Sequence, residues 1–106
     1  MGASELTGYR VTPRAEADLE DIWIYTAETW SPAQADRYID ALVGTFEALV
    51  AMPTMARERP EFSPPVRIHP SAEHLIVYRT HDDALEVIRI LGGRQNWRAI
   101  LEVIDP

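Results

Sequence analysis

The chain contains no cysteine and no lysine. The first absence excludes disulfides, thiolate zinc sites and cysteine nucleophiles. The second excludes a phosphate-loop lysine, a Schiff base and a lysine general base, because all ten basic residues are arginine. No apolar run approaches the roughly 20 residues that span a bilayer. The opening MGASELTGYR has no basic patch followed by an apolar stretch, so it does not read as a secretory signal. A cytoplasmic protein with no membrane contact is the expectation. GxSxG, HExxH, GxxxxGK[ST] and GxGxxG are absent as well.

What is present fits one folded domain. The chain has 106 residues, 46% hydrophobic and 25% charged, enough to bury a core unaided. A single domain over 1–106 is expected, with residues 1–8 poorly ordered. Net charge is −7, so a diffuse electrostatic grip on nucleic acid, and direct DNA binding, are not expected. Residues 1–53 hold three arginines and nine acids, whereas residues 54–106 hold seven arginines and eight acids. Arginine chemistry, if present, belongs to the second half.

The order of elements is readable. Tyr9–Val11 suits a short strand. Thr12-Pro13 is a helix start, with threonine as N-cap and proline at the first helical position. Ala15, Leu19, Ile22, Trp23, Thr26 and Trp30 follow at helical spacing, with Trp30 expected to plug the core. Glu16, Glu20 and Asp21 read as a solvated face that complements the helix dipole. Ser31-Pro32-Ala33-Gln34 is a capping box that opens a second helix. Its stripe is Ala35, Tyr38, Ile39, Leu42, Val43, Phe46, Leu49 and Val50. Pro53 ends that helix, and the four prolines from Pro53 to Pro65 mark a crossing loop. Strands are expected at Val66–His69, His74–Thr80 and Leu85–Leu91, with a turn at His81–Asp83. Asn96–Ile104 forms either a short terminal helix or an extended tail. The fold class is α+β: β-α-α-β-β-β, a small antiparallel sheet packed against an N-terminal helical hairpin.

Candidate functional residues are few. His69 and His74 are five apart, and a metal there would need carboxylate help, so no metal or cofactor is expected. Arg67, Arg79 and Arg89 each fall in a separate strand. By alternation Ile76, Tyr78, Ile88 and Ile90 face the helices, and the arginines decorate the other face. They either clamp phosphates or carboxylates, or pair with acids such as Glu73, Asp82 or Glu86. Trp97, between Arg94 and Arg98, is either an interface anchor or a tail residue docked on its own domain.

These residues resemble the ParE branch of the ParE/RelE toxins over about residues 9–98. The resemblance rests on Ala15, Asp18-Leu19, Ile22 and Tyr25; Trp30, Gln34-Ala35 and Tyr38; Pro53; Arg67; and His74 with Tyr78-Arg79. It implies a toxin that poisons DNA gyrase and is held inactive by a cognate antitoxin. That antitoxin is expected to be ParD-like, with a ribbon-helix-helix DNA-binding domain and an acidic segment that folds on binding. The pair is expected to repress its own operon. On this reading the chain is not an enzyme. Target contacts are expected at Arg89, Arg94, Trp97 and Arg98. Antitoxin contacts are expected at Leu19, Ile22, Trp23, Trp30, Tyr38 and Leu42. The alternative is a RelE-like mRNA interferase using Arg67, Arg79, Arg89 and His81, although RelE enzymes rely on lysines and a late tyrosine that this chain lacks. A third reading is a non-toxic, antitoxin-binding regulatory partner.

Overall fold

Two helices with almost no loop between them set the architecture. In the computed structural model, which describes residues 6–103, strand β1 (Gly8–Val11) leads into α1 (Pro13–Thr29) and α2 (Pro32–Ala51). Thr12 caps α1 by accepting the Ala15 N–H at 3.1 Å. Ser31 caps α2 by accepting the Gln34 N–H at 3.0 Å. The second half of the expected capping box is replaced, because the Gln34 side chain accepts from Arg37 instead. Only Trp30 and Ser31 separate the helices, so the chain reverses and the hairpin closes. Pro53 ends α2 in a single 3₁₀ turn, Pro53–Met55. Among the described residues no helix is long and apolar enough to cross a membrane.

The rest forms a sheet: β2 (Glu58–Arg59), β3 (Val66–Ser71), β4 (His74–His81) and β5 (Ala84–Gly92), followed by α3 (Trp97–Glu102). Strand order is β1-β5-β4-β3-β2. The pairs from β5 to β2 are antiparallel, as expected, but β1 runs parallel to β5. The hairpin between β1 and β5 is the crossover a parallel pair requires. β2 was not foreseen, since two residues inside a proline-rich loop carry no alternation. The terminal alternative resolves as a helix over Trp97–Glu102, while Ile104 lies outside the described residues. Of the segment expected to be poorly ordered, residues 1–5 lie outside the described residues. Thr7 and Gly8 are part of the fold: Thr7 donates its N–H to Asp83 at 2.8 Å, and Gly8 opens β1.

Both faces of the sheet are packed. The hairpin lays Ala15, Ile22, Leu42, Phe46 and Leu49 on Ile76, Tyr78, Leu85, Val87 and Ile90. On the opposite face Phe62, Val66, Val77, Ile88 and Leu91 form a second cluster closed by Leu101 of α3. The alternation rule fails in β5 at a bulge. Val77 pairs with Arg89 while Tyr78 pairs with Val87, so Ile88 is an extra residue. One inserted residue swaps faces beyond it. Ile76, Tyr78 and Ile90 therefore meet the helices as expected, but Ile88 packs on the other side and Val87 takes its place. The β3–β4 turn holds Ala72 at φ 53° and the β4–β5 turn holds Asp82 at φ 57°. Aspartate tolerates this left-handed region better than alanine does.

Candidate functional site

The strand arginines have separate partners. Arg67 lies opposite Tyr78 in the register, on the hairpin side, and donates to the Ala56 carbonyl at 2.6 Å. Tyr78 donates to the Pro53 carbonyl at 2.9 Å. Together they pin the turn after α2 to the sheet, and burial pushes the Tyr78 phenol above its ordinary value. Arg79 pairs across the strands with Glu86 at 2.7 Å, and Arg10 of β1 reaches the same carboxylate at 3.7 Å. The neighbouring-acid alternative holds for this residue.

Arg89 is held by an acid 71 residues away. β1 ends opposite Val87, so among the described residues the rest of β5 has no strand on that side. Thr12 donates its N–H to the Val87 carbonyl and its hydroxyl to the Ile88 carbonyl. Asp18 of α1 then accepts the Ile90 N–H at 2.9 Å and two guanidinium bonds from Arg89, at 2.8 and 3.1 Å. Asp18 thus replaces the missing strand and satisfies a fork geometry that only arginine offers. The three arginines accordingly do not share one face, contrary to the alternation reading. His81 sits beside Asp82 at 3.6 Å at the exposed β4–β5 turn.

Trp97 docks on its own domain. Its ring lies under Arg98 at 4.9 Å and Arg59 at 5.6 Å and is tilted against Phe62 at 6.4 Å. Such cation–ring stacking is stabilising at the surface. Glu61 joins both guanidiniums, at 3.0 Å to Arg59 and 3.9 Å to Arg98. Hydrogen bonds from its own backbone and from Arg59 hold the Glu61 carboxyl below the usual carboxylate range. Arg94 stands apart from this cluster.

A cavity of about 520 Å³ opens at the end of the helical hairpin. Tyr25, Thr26, Trp30, Gln34 and Tyr38 line it from the helices, and Glu73, His74 and Arg94 from the strand ends. With the His74 ring neutral and protonated on Nε2, the Tyr38 hydroxyl donates to its Nδ1 at 2.6 Å, and it accepts the Glu73 N–H at 3.3 Å. Burial pushes His74 below its ordinary value and Tyr38 above. Both shifts favour that neutral pair. Tyr25 and Trp30 are 64% and 68% exposed. Trp30 therefore does not plug the core; as the C-cap of α1 it stands at the hairpin's end and lines the cavity.

The expected antitoxin contacts divide in the same way. Trp30 is exposed, while Leu19, Trp23 and Tyr38 are half-buried. Trp23 donates to Asp36 at 2.9 Å and ties the two helices together. Ile22 and Leu42 are only 8% and 1% exposed and face the sheet, so they cannot touch a partner. The expected target contacts do not converge either: Arg89 is held by Asp18, Arg94 lines the cavity, and Trp97 and Arg98 stack behind the sheet. From sequence, His74 is weighed only as a metal ligand and Glu73 only as a partner for a strand arginine, and Asp18, Tyr25, Arg59 and Glu61 are assigned no site role. Asp18 alone had a signal, being an acid on the apolar side of its helix between Ala15 and Ile22.

The family profile described as ParE toxin of type II toxin-antitoxin system, parDE, matches residues 9–97. Toxin ParE1 of Caulobacter vibrioides is 36% identical over 93 residues, covering 88% of this chain and 96% of that protein. Toxin ParE1 of Mycobacterium tuberculosis is 32% identical over 89 residues, with 83% and 91% covered. Toxin ParE of Escherichia coli is 33% identical over 93 residues, with 86% and 89% covered. A solved structure described as the chromosomal ParDE TA system from P. aeruginosa superposes with a TM-score of 0.72 at 20% identity. It covers 85% of this chain and 98% of that one, a likeness of fold.

Proposed function

The chain belongs to the ParE family, the toxins of ParDE type II toxin–antitoxin systems, and from that premise we propose that it arrests growth by poisoning DNA gyrase without catalysing a reaction of its own. A ParD-like antitoxin neutralises it in the cytoplasm, supplies the DNA contacts and shares in repression of their operon. Antitoxins of this kind carry a segment that folds on the toxin's surface.

The observation that supports a non-enzymatic reading is the engagement of the candidate nuclease residues. Cleaving RNA needs a base, a leaving-group acid and a free cation gathered around one phosphate. Arg67 is spent on a backbone carbonyl, Arg79 on Glu86 and Arg89 on Asp18, while His81 sits at a turn beside Asp82. The sheet face opposite the hairpin, where such groups could gather, is occupied by Val66, Val77, Ile88, Leu91 and Leu101.

Induced expression of the chain alone should halt growth, and co-expression of its antitoxin should restore it. Growth unchanged by the chain alone would refute the toxin reading in favour of a purely regulatory partner.

A further inference from the structure

The hairpin carries most of the chain's negative charge. Between Pro13 and Ala51 there are eight acids and two arginines. Asp18 is spent on Arg89. The other seven, Glu16, Glu20, Asp21, Glu28, Asp36, Asp40 and Glu47, are exposed, and among the described residues none is in an ion pair. Helix dipoles do not account for them. Only Glu16 lies in the first turn of α1, and Glu28 sits in its last turn, where negative charge is disfavoured. Glu16 and Glu20, and Asp36 and Asp40, are like charges four apart, a spacing that destabilises a helix.

The same surface carries apolar side chains that the fold leaves uncovered. Ile24, Tyr25 and Trp30 are 47%, 64% and 68% exposed. Tyr25 and Trp30 border the 520 Å³ cavity. Helical spacing brackets them with acids: Glu20, Asp21 and Glu28 lie one turn from Ile24, and Asp21 and Glu28 one turn from Tyr25. No arginine lies on those turns. Arg14 is near the start of α1, Arg37 is occupied by Gln34, and Arg94 is on the far wall of the cavity beside Glu73.

We propose that this face is the docking surface for a cationic amphipathic helix of the antitoxin, whose apolar side chains enter the cavity and whose lysines and arginines lie over Glu20, Asp21 and Glu28. The proposal rests on the antitoxin reading above and reverses the acidic segment that the resemblance implied. Charge complementarity selects this occupant. An acidic segment would add like charge to a face already carrying it, whereas a basic one relieves repulsion within α1. The exposed rings of Tyr25 and Trp30 add seats for a guanidinium.

The test uses the full chain and two 20-residue helical peptides with one leucine face. One peptide carries lysine and arginine on its polar face, the other glutamate. Tryptophan fluorescence reports binding. The cationic peptide should bind, and raising NaCl from 50 to 500 mM should weaken it about tenfold or more. The triple variant Glu20→Gln, Asp21→Asn, Glu28→Gln should weaken it comparably without lowering the melting temperature, and Tyr25→Ala should also weaken it. Glu58→Gln with Glu102→Gln, two acids off this face, should leave it unchanged. Tight binding of the glutamate peptide, no binding of either, or equal loss with both sets of variants would overturn the proposal. Co-purification of this chain with its operon partner separates the two ideas. An intact complex alongside a failed peptide test overturns the charge rule alone, and absence of any complex overturns the antitoxin reading.

Discussion

Replacing Asp18 with alanine should cost more stability than replacing any other acid of the hairpin. The substitution leaves the Arg89 guanidinium without two bonds and the Ile90 N–H without its acceptor. Removing one partner of a buried pair costs about 3–5 kcal/mol. Here the side chains of Arg89 and Asp18 keep 12% and 14% of their surface exposed. Water reaches the orphaned guanidinium in part, which lowers that figure, while the edge N–H adds about 1 kcal/mol. A loss of about 3 kcal/mol follows, out of a total expected at roughly 5–15 kcal/mol. In a chain of this length it corresponds to a drop of roughly 10–20 °C in melting temperature. Asp18→Asn keeps an acceptor for Ile90 and should lose about half as much. Asp18→Ala combined with Arg89→Met should recover part of the loss, because two matched apolar groups avoid a stranded charge. Urea unfolding followed by circular dichroism reads all three. A single-variant loss below about 0.5 kcal/mol, or a double variant no more stable than Asp18→Ala, would refute the edge-capping role of Asp18.

Three further outcomes separate core from surface and charge from packing. Leu42→Ala should cost about 2–5 kcal/mol in urea unfolding, since Leu42 is 1% exposed against the sheet; Trp30→Ala should change stability by less than about 0.5 kcal/mol and weaken only partner binding. Ala72→Gly should raise stability by up to about 1 kcal/mol by relieving a left-handed alanine, and a loss would contradict that. His74 has a folded pKa below its ordinary value of 6.5 because of burial, so the unfolded chain takes up its proton first as pH falls. Stability should therefore decline as pH drops from about 6.5 toward the depressed folded value and level off below it. His74→Gln should flatten that decline in urea midpoints measured from pH 7.5 to 5, and an unchanged slope would contradict the buried, neutral ring.

Local chemistry made the helices legible and long-range chemistry hid the site. Thr12-Pro13, Ser31-Pro32 and Pro53 are punctuation whose meaning depends on a few adjacent residues, and each stands where it was read. The strands were legible from branched and aromatic residues to within two residues at their ends. Which strand lies beside which is a different matter. Nothing in Tyr9-Arg10-Val11 indicates that it pairs parallel with a strand 76 residues onward. The bulge at Ile88 is equally silent, and it alone sends Val87 to the hairpin side and Ile88 to the opposite side. The acid that holds Arg89 was not legible because Asp18 lies in a helix that the strand pattern does not mention. Trp30 looked like core because helical periodicity continues through it, although it is the C-cap of α1 and most of its surface is exposed.

Gyrase poisoning is tested by adding the purified, antitoxin-free chain to DNA gyrase and scoring both supercoiling and trapped DNA cleavage. Inhibition with accumulation of cleaved DNA, relieved when antitoxin is added, is the expected result. Unimpaired supercoiling and no trapped cleavage, at a concentration that stops cell growth, would contradict it and turn the search to mRNA on translating ribosomes.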